Sequence, residues 1–304
     1  MKALSGVLAG VLAASAAPAP AQKPAPPEFP VAANTVHVTV TVRDEKGHLI
    51  PDLELRDFVL RDEEQPQEVT LFARTLETGA DDALVLDLGL LLDTSESMLK
   101  HLKLSHQAAA RFLEAVPRAR ELITVFFDEE IRLSRYDGEN QQGLFERLQD
   151  ARGGGWTALY DAIAVYLSRV QGTEGRKVMV VLTDGDDSRS RLSRSELLQL
   201  LRGSSVTVYA IAFPGAYPRG DTRGAAGRGF LSQITEMTGG RVFEPLGARD
   251  LPQIYETILD ELRSQYVLGF VPPASPGRDK YHKLEIEVKR KGVTVRHRKG
   301  YFPE

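Results

Sequence analysis

Residues 83–97 read ALVLDLGLLLDTSES, and this stretch decides the fold class. From Ala83 to Leu92 the side chains form a nearly continuous apolar run, which is typical of a strand buried on both faces of a parallel sheet. Oxygen-bearing side chains follow at once, in the order Asp93, Ser95 and Ser97. In open parallel α/β sheets, ligands bind beyond the carboxyl ends of the strands. The stretch therefore predicts an α/β sheet with a ligand site where this strand ends.

Strands and helices alternate on the C-terminal side of this stretch. Apolar runs predict further strands at residues 122–127, 131–135 (an edge strand), 178–182 and 206–213. Apolar side chains at helical spacing predict helices at residues 99–116, 157–167, 193–201 and 250–262. Such alternation is typical of βαβ units. We expect a doubly wound, mostly parallel sheet with helices on both faces over residues 77–264, interrupted by a Gly/Arg-rich loop over residues 214–229.

The two segments that flank this region have a different pattern. Val36, Val38, Val40 and Val42 alternate with polar residues, which predicts a half-buried strand. Further strands are predicted at residues 58–61, 68–72 and 266–271, and a hairpin is predicted from residues 282–289 and 293–298 around Lys291-Gly292. Because a small isolated β unit is marginally stable, we expect residues 35–76 and 265–304 to pair into one β-sandwich-like domain.

The N-terminus has the pattern of a secretory signal peptide. Lys2 precedes a short apolar stretch over residues 3–17, and Ala19-Pro20-Ala21 provides small residues for cleavage. We expect a signal peptide over residues 1–21, a Pro/Ala-rich linker over residues 22–34, and an exported protein, periplasmic or secreted. The stretch is too short for a membrane span. The alternative is a disordered Ala/Pro leader.

Composition excludes several classes of function. The sequence contains no cysteine, so disulfides, thiolate metal sites and a cysteine nucleophile are excluded. A formal net charge of −4 argues against a general nucleic-acid binder. Residues 153–155 are three glycines, but no Lys-Ser/Thr pair follows them, so they are not a phosphate loop.

Three segments carry oxygen ligands to the same predicted edge of the sheet. These segments are Asp93-Thr94-Ser95-Glu96-Ser97, Gly153 to Thr157, and Thr183-Asp184-Gly185-Asp186. Two carboxylates and three hydroxyls suit a hard divalent cation such as Mg²⁺, which prefers oxygen ligands and keeps several waters. Each segment alone could instead be a helix cap or a turn. Their combination predicts a metal site formed by Asp93, Ser95, Ser97, Thr157 and Asp184.

These motifs resemble those of the von Willebrand factor type A family over residues 84–262. Asp93, Ser95 and Ser97 match the family's first metal-site motif, Thr157 the second and Asp184 the third. In the flanks, Val40-x-Val42 and Gly300-Tyr301-Phe302 are similar to exported bacterial proteins called von Willebrand factor type A-related. The resemblance implies a non-enzymatic module with a metal-ion-dependent adhesion site, which binds a Glu or Asp of a protein partner through Mg²⁺, with Mn²⁺ or Ca²⁺ as alternatives. It also implies coupling of partner binding to the last helix, residues 250–262.

The sequence is also compatible with two other functions. The chain could be an envelope protein that the metal only stabilises, or a metal-assisted hydrolase, although no histidine is close in sequence to the three segments. Glu96, Trp156 and Asp186 border the predicted site and are candidate partner contacts. Arg219-Gly220-Asp221 could be read as an integrin ligand, but the tripeptide is common by chance and is set aside.

Overall fold

A computed structural model describes residues 35–75, 85–116, 119–137, 143, 153–214, 222–273 and 280–303. The predicted leader and linker, and Arg219-Gly220-Asp221, lie outside the described residues. The strands are β1 Val36–Asp44, β2 Phe58–Asp62, β3 Gln65–Gln67, β4 Leu71–Arg74, β5 Leu86–Asp93, β6 Ala119–Phe127, β7 Ile131–Asp137, β8 Arg176–Thr183, β9 Val206–Ala212, β10 Arg241–Phe243, β11 Tyr266–Phe270, β12 His282–Val288, β13 Val293–Arg296 and β14 Gly300–Tyr301. The α-helices are α1 Leu102–Ala115, α2 Leu159–Val170, α3 Arg194–Gly203, α4 Thr222–Thr238 and α5 Leu251–Arg263, and short 3₁₀ helices span Leu55–Asp57, Glu96–His101 and Ala248–Asp250.

The central sheet has six strands in the order β10-β9-β8-β5-β6-β7. Its neighbouring strands are parallel except for β7, which runs antiparallel to β6 at the edge. All eight residues of β5 are buried, as expected of a strand covered on both faces. Apolar side chains of α1 and α5 pack on one face of the sheet, and those of α2, α3 and α4 pack on the other. The predicted doubly wound fold is therefore confirmed.

The N- and C-terminal flanks form two further, antiparallel sheets. Their strand orders are β13-β1-β11-β4 and β14-β12-β2-β3, so each sheet combines strands from both ends of the described chain. The two sheets share one apolar core, to which β1 contributes Val38, Val40 and Val42. The expected sandwich-like pairing of the flanks is confirmed, whereas the domain boundaries at residues 76 and 264 stay predictions.

Two predictions for the flanks were wrong in detail. Strands β12 and β13 do not form a hairpin with each other, because β12 pairs with β2 while β13 pairs with β1 in the other sheet. The single strand predicted at residues 68–72 is replaced by β3 and β4, which also belong to different sheets. In both places the chain crosses between the two layers, which alternation of apolar residues along the sequence does not reveal.

Helix α4 corrects the prediction of a Gly/Arg-rich loop over residues 214–229. The helix begins at Thr222 and runs through the glycine-rich segment. Gly227 lies against the loop after β8: a Cβ on Gly227 would stand 2.9 Å from the Asp184 carbonyl oxygen and 2.9 Å from the carbonyl carbon of Gly185. At this position glycine permits close backbone packing of a helix rather than interrupting the helix.

Helix α5 is fixed to the flanking sheets by a buried ion-pair network. The Glu261 carboxylate is fully buried and accepts hydrogen bonds from Arg43 at 2.6 Å, from Arg296 and from the Tyr209 hydroxyl. Burial by itself raises the pKa of Glu261, but the guanidinium groups of Arg296 and Arg43 outweigh burial and lower the pKa overall. The network therefore joins the last helix to strand β13 and to the end of β1.

None of the helices in the described segments has the length and apolar character required to cross a bilayer.

Candidate metal centre

The first and third predicted segments meet at the carboxyl edge of the central sheet. Asp93 is the last residue of β5, and Asp184 follows the last residue of β8, the neighbouring parallel strand. The Thr183 hydroxyl donates a hydrogen bond of 2.6 Å to Oδ2 of Asp93, and the Ser95 amide donates one of 2.9 Å to Oδ1. The Asp186 amide donates to Oδ1 of Asp184 at 3.1 Å. Both carboxylates are therefore oriented by backbone or hydroxyl donors, and the bond from Thr183 to Asp93 joins the third segment to the first.

The second segment is attached to the first by two backbone hydrogen bonds. The Gly154 amide donates to the Thr94 carbonyl at 2.8 Å, and the Glu96 amide donates to the Gly155 carbonyl at 3.2 Å. Gly153 is required for this approach, because a Cβ there would stand 2.1 Å from the Thr94 carbonyl oxygen. The three consecutive glycines thus bring Thr157 to the loop that carries Ser95 and Ser97.

The second segment and the start of α2 are also attached to residues 187–189, which continue the third segment. The amides of Ser188 and Arg189 both donate to the Thr157 carbonyl at 2.9 Å, and the Ser188 hydroxyl accepts from the Thr157 amide at 3.0 Å. Oδ1 of Asp187 accepts from the Tyr160 amide at 3.1 Å. The first turn of α2 is therefore capped by the loop after β8, and the three segments form one hydrogen-bonded unit.

The three candidate hydroxyls are not used as helix caps. Ser95 and Ala158 occupy the N-cap positions of the 3₁₀ helix Glu96–His101 and of α2, and neither makes a side-chain capping bond. Ser95 Oγ and Ser97 Oγ are 3.3 Å apart. Within the described residues, the Thr157 hydroxyl makes no hydrogen bond. These side chains are thus available for a ligand, which a capping role would preclude.

The electrostatics of Asp93 fit a site for a cation. The pKa of Asp93 is raised to about 7: burial is the largest cause and the nearby Asp184 carboxylate adds to the shift, while hydrogen bonds from Ser95 and Thr183 oppose it. Asp93 is 1% exposed and Asp184 is 6% exposed. Among the described side chains, no Lys, Arg or His forms an ion pair with either. A divalent cation would supply the positive charge that two buried carboxylates require.

The composition of the site narrows the kind of metal that fits. No group of three or more His, Asp or Glu side chains in the described segments is arranged to hold a metal ion. A cation at this edge would therefore depend on neutral hydroxyls together with the two carboxylates. Such an all-oxygen set, with coordination completed by water, suits Mg²⁺ better than it suits a metal that prefers nitrogen.

The three candidate partner contacts border this unit. Trp156 immediately precedes Thr157 in the sequence and is 63% exposed, and Glu96 is also exposed. Asp186 is half-buried, and its amide serves Asp184. The structure therefore brings all three to the same edge of the sheet as the candidate ligands.

Sequence reasoning missed two residues that position the candidate ligands. Thr183 orients Asp93 through its hydroxyl, and Asp128, which follows β6, contacts both the first and the second segment. The sequence signal that could have identified them is their location, because each is a polar residue at the carboxyl end of a buried strand. Asp128 lies outside the three predicted segments and Thr183 lies inside the third without being a predicted ligand, so only their contacts in the structure reveal their roles.

Solved structures with a similar fold share little sequence with this chain. An aerotolerance-related membrane protein from Bacteroides fragilis NCTC 9343 is 15% identical with a TM-score of 0.46, and the match covers 59% of this chain and 98% of that chain. A von Willebrand factor type A protein from Catenulispora acidiphila is 12% identical with a TM-score of 0.48, covering 88% and 73% of the two chains. The pilus adhesin SpaC from Lactobacillus rhamnosus GG, in its open conformation, is 11% identical with a TM-score of 0.50, covering 80% and 47%.

No curated protein matches the sequence. The family model of the von Willebrand factor type A domain matches residues 87–257, which include all five candidate metal ligands and more than half of the chain. The fold, the order of the three loops and this match agree, and the chain belongs to the von Willebrand factor type A domain family.

Proposed function

We propose that this protein is a non-enzymatic module that binds a protein partner through a divalent cation. Domains of this family are generally protein-interaction modules. The metal dependence is our proposal, and one observation carries it: three hydroxyls without capping roles and two buried carboxylates lie on three loops that hydrogen bonds join into one unit.

Each residue of the proposed site has a defined task. Ser95, Ser97 and Thr157 would hold the cation through neutral oxygens, and Asp93 and Asp184 would balance its charge directly or through water. When bound, the cation supplies a Lewis-acidic position that accepts a carboxylate oxygen from outside the domain. Because neutral oxygens would be the main direct ligands, the cation stays electrophilic, which favours a Glu or Asp of the partner over a neutral side chain.

The border of the site supports a protein ligand. Trp156 exposes a large aromatic side chain beside Thr157, and aromatic side chains are enriched among the residues that dominate binding energy at protein interfaces. Glu96 and Asp186 would contact polar groups of the partner at the rim. Mg²⁺ is the expected ion, with Mn²⁺ and Ca²⁺ as alternatives.

Metal binding is tested by isothermal titration calorimetry of the full chain with Mn²⁺. We expect one site in the wild type, competition by Mg²⁺, and loss of binding in Asp93→Ala and Ser97→Ala. Ser195→Ala is the matched control, because Ser195 is an exposed serine in the first turn of α3. Equal binding by the wild type, Ser97→Ala and Ser195→Ala would show that the ion binds elsewhere.

Partner binding is tested by capture from a cell-envelope extract on immobilised full chain. Proteins retained in Mg²⁺ should be released by EDTA, absent from Ser97→Ala and present on Ser195→Ala. Replacement of single Glu or Asp residues by Gln or Asn in a captured partner should then abolish its retention. Capture that is unchanged by EDTA and by Asp93→Ala would overturn the proposal. A large thermal stabilisation by Mg²⁺ without any metal-dependent capture would indicate a structural ion.

We also propose export, which rests on Lys2, the apolar stretch over residues 3–17 and the small residues up to Ala21. Mass spectrometry of the protein from its native cells should find an N-terminus at Gln22. An intact N-terminal peptide in the mature protein would contradict cleavage at this site.

A further inference from the structure

We infer that Asp128 is a positioning residue that holds the first and second segments together for metal binding. This inference rests on the proposed metal site, because Asp128 is not one of its five candidate ligands. Asp128 follows strand β6, next to β5 in the sheet. It therefore lies beside the loop that carries Ser95 and Ser97 without belonging to it.

The side chain of Asp128 contacts the first segment at its centre. Oδ2 of Asp128 accepts a hydrogen bond of 2.9 Å from the hydroxyl of Thr94, the residue between Asp93 and Ser95. The Arg132 guanidinium donates to the same Oδ2 at 2.6 Å and to the Thr94 hydroxyl oxygen at 3.1 Å. Thr94, Asp128 and Arg132 are thus joined pairwise by hydrogen bonds, and Thr94 is the direct neighbour of the candidate ligands Asp93 and Ser95.

The backbone of the same strand end contacts both segments. The Phe127 carbonyl accepts from the Thr94 amide at 2.8 Å, and the Asp128 carbonyl accepts from the Ala158 amide at 2.8 Å. Ala158 is adjacent to Thr157, the candidate ligand of the second segment. Through its side chain and its carbonyl, Asp128 is therefore bonded to residues next to three candidate ligands, namely Asp93, Ser95 and Thr157.

The hydrogen bond between Thr94 and Asp128 is shielded from water. Thr94 is fully buried and Asp128 is 7% exposed, so water replaces a lost hydrogen bond poorly. Hydrogen bonds from Arg132, the Glu130 amide and Thr94 outweigh burial and keep the pKa of Asp128 below its usual value. The carboxylate is ionised at neutral pH and draws Arg132 and Thr94 towards one point. Residues that orient metal ligands in this indirect way commonly change affinity when they are replaced.

Three variants of the full chain separate positioning from general stability. Asp128→Ala removes the acceptor, Asp128→Asn keeps one acceptor oxygen without the charge, and Thr94→Val removes the hydroxyl at similar size. Glu130→Gln is the matched control: its carboxylate is 3.6 Å from the same Arg132, but its side chain is 77% exposed and makes no bond to Thr94. The Mn²⁺ dissociation constant is measured by calorimetry well below the unfolding temperature, which is determined in EDTA for every variant.

We expect Mn²⁺ to bind about 10- to 100-fold more weakly to Asp128→Ala and Thr94→Val, which is the range for residues that orient metal ligands. Asp128→Asn should lie between these variants and the wild type, and Glu130→Gln should match the wild type. Because Thr94 and Asp128 belong to one hydrogen-bonded cluster with Arg132, the double variant should lose less affinity than the sum of the two single losses. If Asp128→Ala does not fold, Asp128→Asn and Thr94→Val carry the same comparison.

The outcomes distinguish this inference from the proposed function. Wild-type Mn²⁺ affinity in Asp128→Ala and Thr94→Val, with loss of binding in Ser97→Ala, would overturn the role of Asp128 and leave the metal site intact. A purely structural role predicts lower unfolding temperatures in EDTA with unchanged dissociation constants, and this result would also overturn the inference. Absence of Mn²⁺ binding to the wild type would overturn both.

Discussion

Replacement of Asp93 by Asn tests the electrostatics of the candidate site in the metal-free protein. Asn has nearly the same size as Asp, and its side-chain oxygen can still accept the hydrogen bond from the Ser95 amide. It cannot ionise. The substitution therefore removes the cost of a buried carboxylate while it also removes one of the two charges that would hold a cation.

The size of this cost follows from the pKa of Asp93, which is raised from 3.8 to about 7. One pKa unit corresponds to about 1.4 kcal/mol, so the ionised carboxylate destabilises the metal-free fold by about 4 kcal/mol at high pH. A raised pKa means that the folded state binds a proton more tightly than the unfolded state. The stability of the wild type therefore falls as pH rises from about 4 through about 7 and then levels off.

The assay is urea unfolding in EDTA at several values of pH. Between pH 5 and pH 8, the wild type should lose about 2 to 3 kcal/mol relative to Asp93→Asn. Saturating Mg²⁺ should raise the free energy of unfolding of the wild type at pH 8, by about 2.7 kcal/mol at a concentration 100-fold above the dissociation constant. It should not stabilise Asp93→Asn. Ser97→Ala is the control: in EDTA its pH profile should follow the wild type, and Mg²⁺ should not stabilise it.

Parallel pH profiles for the wild type and Asp93→Asn in EDTA would refute this reasoning, because they would show that Asp93 is not ionised at a cost. A Mg²⁺ effect of equal size in the wild type, Asp93→Asn and Ser97→Ala would place the ion outside this site.

Three further predictions concern the junction, the glycine loop and the rim. Glu261→Gln should destabilise the protein by about 3 kcal/mol in urea unfolding, because it leaves two partly buried arginines without their carboxylate. Since the pKa of Glu261 is lowered, the stabilisation by Glu261 should be present at neutral pH and disappear as pH falls below about 4.5. An unchanged urea midpoint in Glu261→Gln would contradict this prediction. Gly153→Ala should weaken Mn²⁺ binding at least about tenfold in calorimetry, because its Cβ would collide with the Thr94 carbonyl. Trp156→Ala should weaken capture of the partner about tenfold or more in a binding titration while Mn²⁺ affinity stays that of the wild type; loss of both would assign Trp156 to the fold of the loop.

Much of the fold could be predicted because its signals are local. The apolar run over residues 83–92 and the alternation of strands with helices identified the doubly wound sheet. The first and third segments lie at the predicted edge, because the carboxyl ends of parallel strands meet on one side of a sheet. Backbone hydrogen bonds bring the second segment to the same edge. The identity of the metal ligands stays a prediction, since it depends on binding.

The errors share one physical cause, which is pairing between distant segments. The residues of β12 and β13 alternate as in a hairpin, yet each strand pairs with a different strand from the N-terminal flank. The glycines of α4 are those of a loop by local preference, but the contact between Gly227 and the loop after β8 makes them suitable for a packed helix. Local pattern cannot decide such choices, because burial against remote residues outweighs small intrinsic preferences.

By itself, the sequence determined the family, the central sheet and the five candidate ligands, because each depends on a short pattern of residues. Contacts between distant segments were needed to establish how the flanks interleave, that the three hydroxyls do not cap helices, and that Asp128 and Thr183 support the site. The physical reason is that hydrogen bonds and burial at the sheet edge join residues from β5, β6, β8 and α2, which lie up to 90 positions apart along the chain.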